Sequence, residues 1–75
     1  MPFIHIRAHS GRDLDTKRKT AEAVLKAASA AMNAPEEAFT VAFEDIEREK
    51  WEKDIAKAII EPMQDKVLIA KGKPV

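Results

Sequence analysis

Apolar and polar residues alternate along the chain from its second position. Ile4, Ile6 and Ala8 fall on one side and Phe3, His5, Arg7 and His9 on the other, the period of two that predicts a β-strand over residues 2–8. Gly11 breaks the run, and Asp13 is placed to cap a helix by accepting from a free backbone N–H of its first turn. From Leu14 the period turns helical. Ala21, Leu25, Ala28 and Met32, flanked by Val24, Ala27 and Ala31, form the apolar stripe, with Lys17, Glu22, Lys26 and Ser29 on the wetter side. Asn33-Ala34-Pro35 stops this helix, because asparagine tolerates the left-handed turn and proline cannot extend the hydrogen-bond ladder. Phe39-Thr40-Val41-Ala42-Phe43 then reads as a second strand, with Phe39, Val41 and Phe43 on one face.

Strand, long helix, strand is a βαβ unit. Its crossover of about thirty residues allows parallel pairing and a right-handed connection. After Asp45, Trp51, Ile55, Ala58, Ile59, Met63 and Val67 recur at spacings of three and four, which predicts a C-terminal helical segment. Pro62 should kink it or divide it in two, and Gly72 and Pro74 read as a loose or extended tail. The expected fold class is therefore α+β: two parallel strands with a right-handed crossover helix plus a C-terminal helical segment, all in one domain of residues 1–75.

This architecture lacks cover. Parallel sheets are normally buried on both faces, and two strands under one helix leave a face and two edges open. A chain of 75 residues without cysteine has no disulfide to compensate. Self-association is the simplest remedy, with a two-fold dimer favoured over a hexamer, the sheet completed between copies and any site lying where subunits meet. Thirteen basic residues balance thirteen acidic ones, so the field of a nucleic-acid binder is missing, and Lys17-Arg18-Lys19 reads as a solvated helix face. No apolar stretch reaches the ~20 residues of a membrane span and no signal-peptide pattern opens the chain, so it reads as cytoplasmic.

Candidate chemistry begins at Pro2. If Met1 is removed, as small second residues generally permit, the chain starts with a secondary amine at the end of a strand. Such an amine is a directed base that works near neutral pH once its surroundings lower its pKa. Retention of Met1 would turn it into an amide without a basic lone pair, so the catalytic reading applies to the processed form. Proline makes up about one residue in twenty of average chains, and Pro2 gains meaning only from what accompanies it.

Pro2 after methionine, Gly11-Arg12 at the end of the first strand, the βαβ core and Trp51 after the second strand together resemble the tautomerase superfamily, specifically its small 4-oxalocrotonate tautomerase-like group. The resemblance implies that Pro2 is the catalytic base, that Arg12 binds a substrate carboxylate, and that Trp51 forms the hydrophobic wall of the site. It also marks departures. Thr40 stands where the best-known members carry a second carboxylate-binding arginine, and a hydroxyl cannot supply a bidentate charged contact. Monocarboxylate enols with an apolar or aryl group are thereby favoured over dicarboxylates such as 2-hydroxymuconate. The glycine-rich hairpin of hexameric members is expected to be replaced by helix over Glu52 to Ile69, and Ile60-Glu61-Pro62-Met63 with Asp65-Lys66 resembles the dimeric branch.

The chemistry is consistent with that implication. Burial beside an apolar wall and a nearby cation both favour a neutral amine, roles that Trp51 and Arg12 fit. No metal and no organic cofactor is called for. His5 and His9 share a strand face, but Arg7 between them repels a cation and no carboxylate completes a ligand set. Asp13 reads as a cap and Phe3 as core. Two other functions compete. A proline-dependent hydration, dehalogenation or decarboxylation on the same scaffold would recruit His9 or Glu44 to activate water. A non-catalytic oligomeric βαβ module would keep Met1.

Overall fold

The computed structural model describes all 75 residues. The alternating segment forms β1 (Phe3–His9), and the helical stripe forms α1 (Leu14–Met32). A 3₁₀ turn (Glu36–Ala38) leads to β2 (Thr40–Ile46). Next comes α2 (Arg48–Trp51), which runs on as a π-wound stretch (Glu52–Ile60) and a 3₁₀ stretch (Glu61–Lys66). The short strands β3 (Ile69–Ala70) and β4 (Lys73–Pro74) close the chain.

β1 and β2 pair in parallel, in register from Phe3↔Thr40 to His9↔Ile46, so the βαβ unit is present. β2 continues three residues beyond Phe43, the end expected from its apolar pattern. The acidic residues in that extension are each neutralised across the sheet or from the helix. Glu44 Oε1 lies 2.9 Å from His5 Nε2 and 3.2 Å from Arg7 Nε, and Asp45 Oδ2 accepts from Lys17 Nζ at 2.8 Å. Paired residues of a parallel sheet share a face. Ile4, Ile6 and Ala8 therefore lie with Val41, Phe43 and Asp45 toward α1, and Phe3, His5, Arg7 and His9 lie with Thr40, Ala42, Glu44 and Ile46 on the other side.

The ends of α1 follow from its capping residues. Asp13 Oδ1 accepts from the Thr16 N–H at 2.8 Å, and Asn33 adopts φ 52°, which lets the Ala34 N–H reach the Ser29 carbonyl. Its stripe differs from the expected one. Half-buried positions are Lys17, Thr20, Ala21, Val24, Leu25, Ala28 and Ser29, while Ala27, Ala31 and Met32 are exposed. Lys17 is drawn to the sheet side by Asp45, and Ser29 by its bond to the Ala34 carbonyl, so neither belongs to the wet face.

The C-terminal segment winds more widely than an α-helix. The Glu61 N–H bonds back five residues to the Ala56 carbonyl. This shift replaces the expected Ala58, which is exposed, with Ile60 beside Trp51, Ile55 and Ile59 on the covered side. The winding changes at Pro62, which has no N–H to donate, and Met63 leaves helical geometry at φ −110°, ψ 25°. Helix then stops at Lys66 rather than at Ile69, and the tail is an antiparallel hairpin, Ile69↔Pro74 and Ala70↔Lys73. Lys71 and Gly72, at φ 52° and 78°, make its two-residue turn. A terminal hairpin is thus present, following the helical segment instead of being replaced by it.

Ile55, 5% exposed, is the single buried residue. The chain exposes 6038 Å², whereas a folded monomer of its mass exposes about 4,600 Å². Its radius of gyration is 13.6 Å against about 11 Å for a compact domain of this length. Phe3, expected in the core, is 63% exposed at the start of β1, whereas His9 at the far end of the same face meets Trp51.

Candidate active site

β1 spans about 20 Å at roughly 3.3 Å per residue, and the expected site residues divide between its two ends. At its start, the Pro2 carbonyl accepts from the Thr40 N–H at 3.1 Å. That bond fixes residue 2 against β2, and the Pro2 nitrogen, which has no ladder bond to lose, is left outside the pairing. Met1 is fully exposed beyond it.

At the far end, the chain turns through Gly11 at φ 126°, a conformation that favours glycine, and the Arg12 side chain folds back. Arg12 Nη1 donates to the His9 carbonyl at 2.9 Å, which holds the guanidinium over the end of β1. Trp51, at the last turn of α2, meets the His9 imidazole edge-on with ring centroids 4.9 Å apart. Arg7, Ala8, His9, Arg12 and Trp51 together line an open cleft of about 360 Å³.

The structure thus brings Arg12 to Trp51, and Pro2 to Thr40, but it does not bring the two pairs together within one chain. Arg7 and His9 are cleft residues that the sequence did not assign to substrate. Their spacing of two from each other, on the face of β1 that leads to Gly11-Arg12, is the signal that could have found them. Arg7 is engaged by Glu44, which leaves Arg12 as the cleft guanidinium without a carboxylate partner. Glu44 itself is held by His5 and Arg7.

Two carboxylates near these turns titrate low. The Thr16 hydroxyl, then its backbone N–H, hold Asp13 below the usual range against desolvation, with Lys17 adding to the lowering. Glu49, in the first turn of α2, is held low by its own backbone N–H and next by the Glu47 side chain.

Among known proteins, a family model described as tautomerase enzyme matches residues 2–52. The matched stretch includes Pro2, Arg12, Thr40 and Trp51 and ends where the π-wound segment begins. No curated protein and no solved structure matches the chain. No helix is long and apolar enough to cross a membrane.

Proposed function

The chain belongs to the tautomerase family, and from that premise we propose that it is a keto–enol isomerase of the 4-oxalocrotonate tautomerase-like group acting on small enol acids, with Pro2 as its base once Met1 is removed. The observation that carries this reading is the meeting of Arg12 and Trp51 in one cleft, a cation without a carboxylate partner beside an apolar wall. Full exposure of Met1 leaves it open to an aminopeptidase.

The site is composite. Pro2 lies a strand length from Arg12 and Trp51, so the Pro2 of one copy works against the Arg12 and Trp51 of another. Two β1 strands related by a two-fold axis and running antiparallel bring each start beside the partner's end. The uncovered surface and the exposed Phe3 support such an assembly, with a dimer as the smallest that completes the site.

In the reaction, the neutral Pro2 nitrogen takes the proton of the enol hydroxyl. The O–H electron pair becomes the carbonyl π bond, and the C=C pair moves to the β-carbon. That carbon takes the proton back from the Pro2 ammonium, giving the α-keto acid with no other reactant. Arg12 holds the carboxylate and polarises the adjacent oxygen. Trp51 and the guanidinium keep the amine unprotonated, the first by excluding water and the second by its charge. Thr40, beside Pro2, offers a neutral hydroxyl, so the second carboxylate of a diacid gains no charged partner there.

Ketonisation of phenylenolpyruvate tests the proposal. Pro2→Ala should lose about 10²–10⁴ in kcat/KM, the usual contribution of a general base. Full activity in that variant, or an intact mass that retains Met1 in the native source, would remove Pro2 as the base. Retained Met1 is also the mark of the non-catalytic module. A hydration reading is favoured only by His9, which lines the cleft. It would show as water addition to an unsaturated acid that is lost in His9→Ala while ketonisation persists.

A further inference from the structure

The largest concavity of the chain, about 570 Å³, has Trp51 as one wall, Ile60, Val67 and Ile69 as others, and Gln64 and Lys71 among its lining residues. It arises because Pro62 breaks the helical winding and returns the chain, so that the terminal hairpin stands across from Trp51 at the end of α2. Apart from Trp51, every residue that lines it lies beyond the matched residues 2–52. The cavity is therefore built by Trp51 together with the C-terminal segment.

We propose that this cavity is a specificity subsite that holds the apolar body of the ligand whose carboxylate Arg12 binds. The inference rests on Arg12 as the carboxylate anchor, and it names the preferred ligand as a monoanion carrying an aryl- or branched-alkyl-sized group. Three observations carry it. Trp51 lines both the cleft and the cavity, so the two spaces share a single indole as a common wall. Polarity differs between the two spaces: Arg7, His9 and Arg12 line the cleft, whereas five of the seven residues lining the cavity are apolar, Ile60, Val67 and Ile69 among them, with Gln64 and Lys71 the exceptions. A second carboxylate placed among those aliphatic carbons would be desolvated without a bidentate partner, whereas a ring would replace water at no polar cost. The volume also lies within the ~300–1,000 Å³ typical of small-molecule sites. Lys71 sits on the exposed hairpin turn, where its stem can cover the cavity edge while its ammonium stays in water.

Trp51 is the sole tryptophan in a chain without tyrosine, so its fluorescence reports binding directly. The processed protein is titrated with 3-phenylpropionate and with propionate, neither of which can be turned over. The expected result is a preference of about tenfold or more for the phenyl compound, in line with the worth of apolar groups in such pockets. Ile69→Phe, at a position 65% exposed and so tolerant of change, should erase the preference by filling the cavity. Val67→Phe should do the same, and Arg12→Ala should weaken both ligands alike. Equal binding of the two ligands by the unaltered protein would overturn the proposal, as would an unchanged preference in both Phe variants. A crystal structure of the assembled protein with a neighbouring copy's side chain, such as Phe3, seated in the cavity would also overturn it. If Pro2→Ala keeps its activity while the phenyl preference stands, the tautomerase mechanism fails and the subsite survives. The opposite pair of results removes the subsite alone.

Discussion

Arg12 spends one donor on the His9 carbonyl and keeps the rest of its fork free, the donors that the proposed function assigns to a carboxylate. That division predicts how its variants fail. Arg12→Lys keeps the charge but not the planar pair of donors, so KM for phenylenolpyruvate should rise about tenfold with a smaller change in kcat. Arg12→Ala should raise KM further still, and steady-state kinetics separate the two. Asp13 makes a different prediction. Its folded pKa is depressed, so its contribution to stability is complete above the unfolded value near 3.8 and is lost as pH falls through the folded value. Asp13→Asn keeps a capping oxygen but has no charge to lose. The gap in melting temperature between wild type and variant should shrink as pH falls below the unfolded value near 3.8. The cap was legible from the sequence because an N-cap needs only a local pattern. The cleft position of Arg7 was not, because it depends on where Trp51 lands.

At the scale of elements, β1, α1, Asn33 and the break at Pro62 could be read directly, since period and punctuation are local properties. Three features escaped. Charged residues end an apolar strand pattern, so the extension of β2 through Glu44 and Asp45 becomes visible only with His5, Arg7 and Lys17 in place. A helical stripe read at 3.6 residues per turn places Ala58 on the covered side, and the wider winding gives that place to Ile60. The terminal hairpin was hidden because Lys71 occupies a turn position that usually advertises itself with asparagine or aspartate. The same fact predicts its response to mutation. Lys71→Asn should stabilise the hairpin, while Gly72→Ala, at φ 78° with open space around a new Cβ, should cost about 1 kcal/mol from backbone strain alone. Urea unfolding of both variants measures the difference in sign.

For the molecule as a whole, the shortage of burial follows from architecture and is legible in the pattern of elements alone. Some 1,400 Å² of surface beyond the monomer expectation exceeds the ~800 Å² that one partner gives to a standard interface. The melting temperature should therefore rise with protein concentration, as it does when association and folding are linked. Phe3→Asp, which places a charge at the exposed start of β1, should lower the oligomer mass in light scattering and activity together. A monomer at micromolar concentration with full activity would contradict the composite site.

The separation of Pro2 from Arg12 along β1 has a genetic corollary. A Pro2→Ala chain and an Arg12→Ala chain, each inert alone, should complement one another when co-expressed. In a mixed dimer, one of the two sites collects both defects and the other collects neither. Random pairing at equal amounts then recovers roughly a quarter of wild-type turnover per chain. A chain that kept base and anchor in the same protomer would recover none.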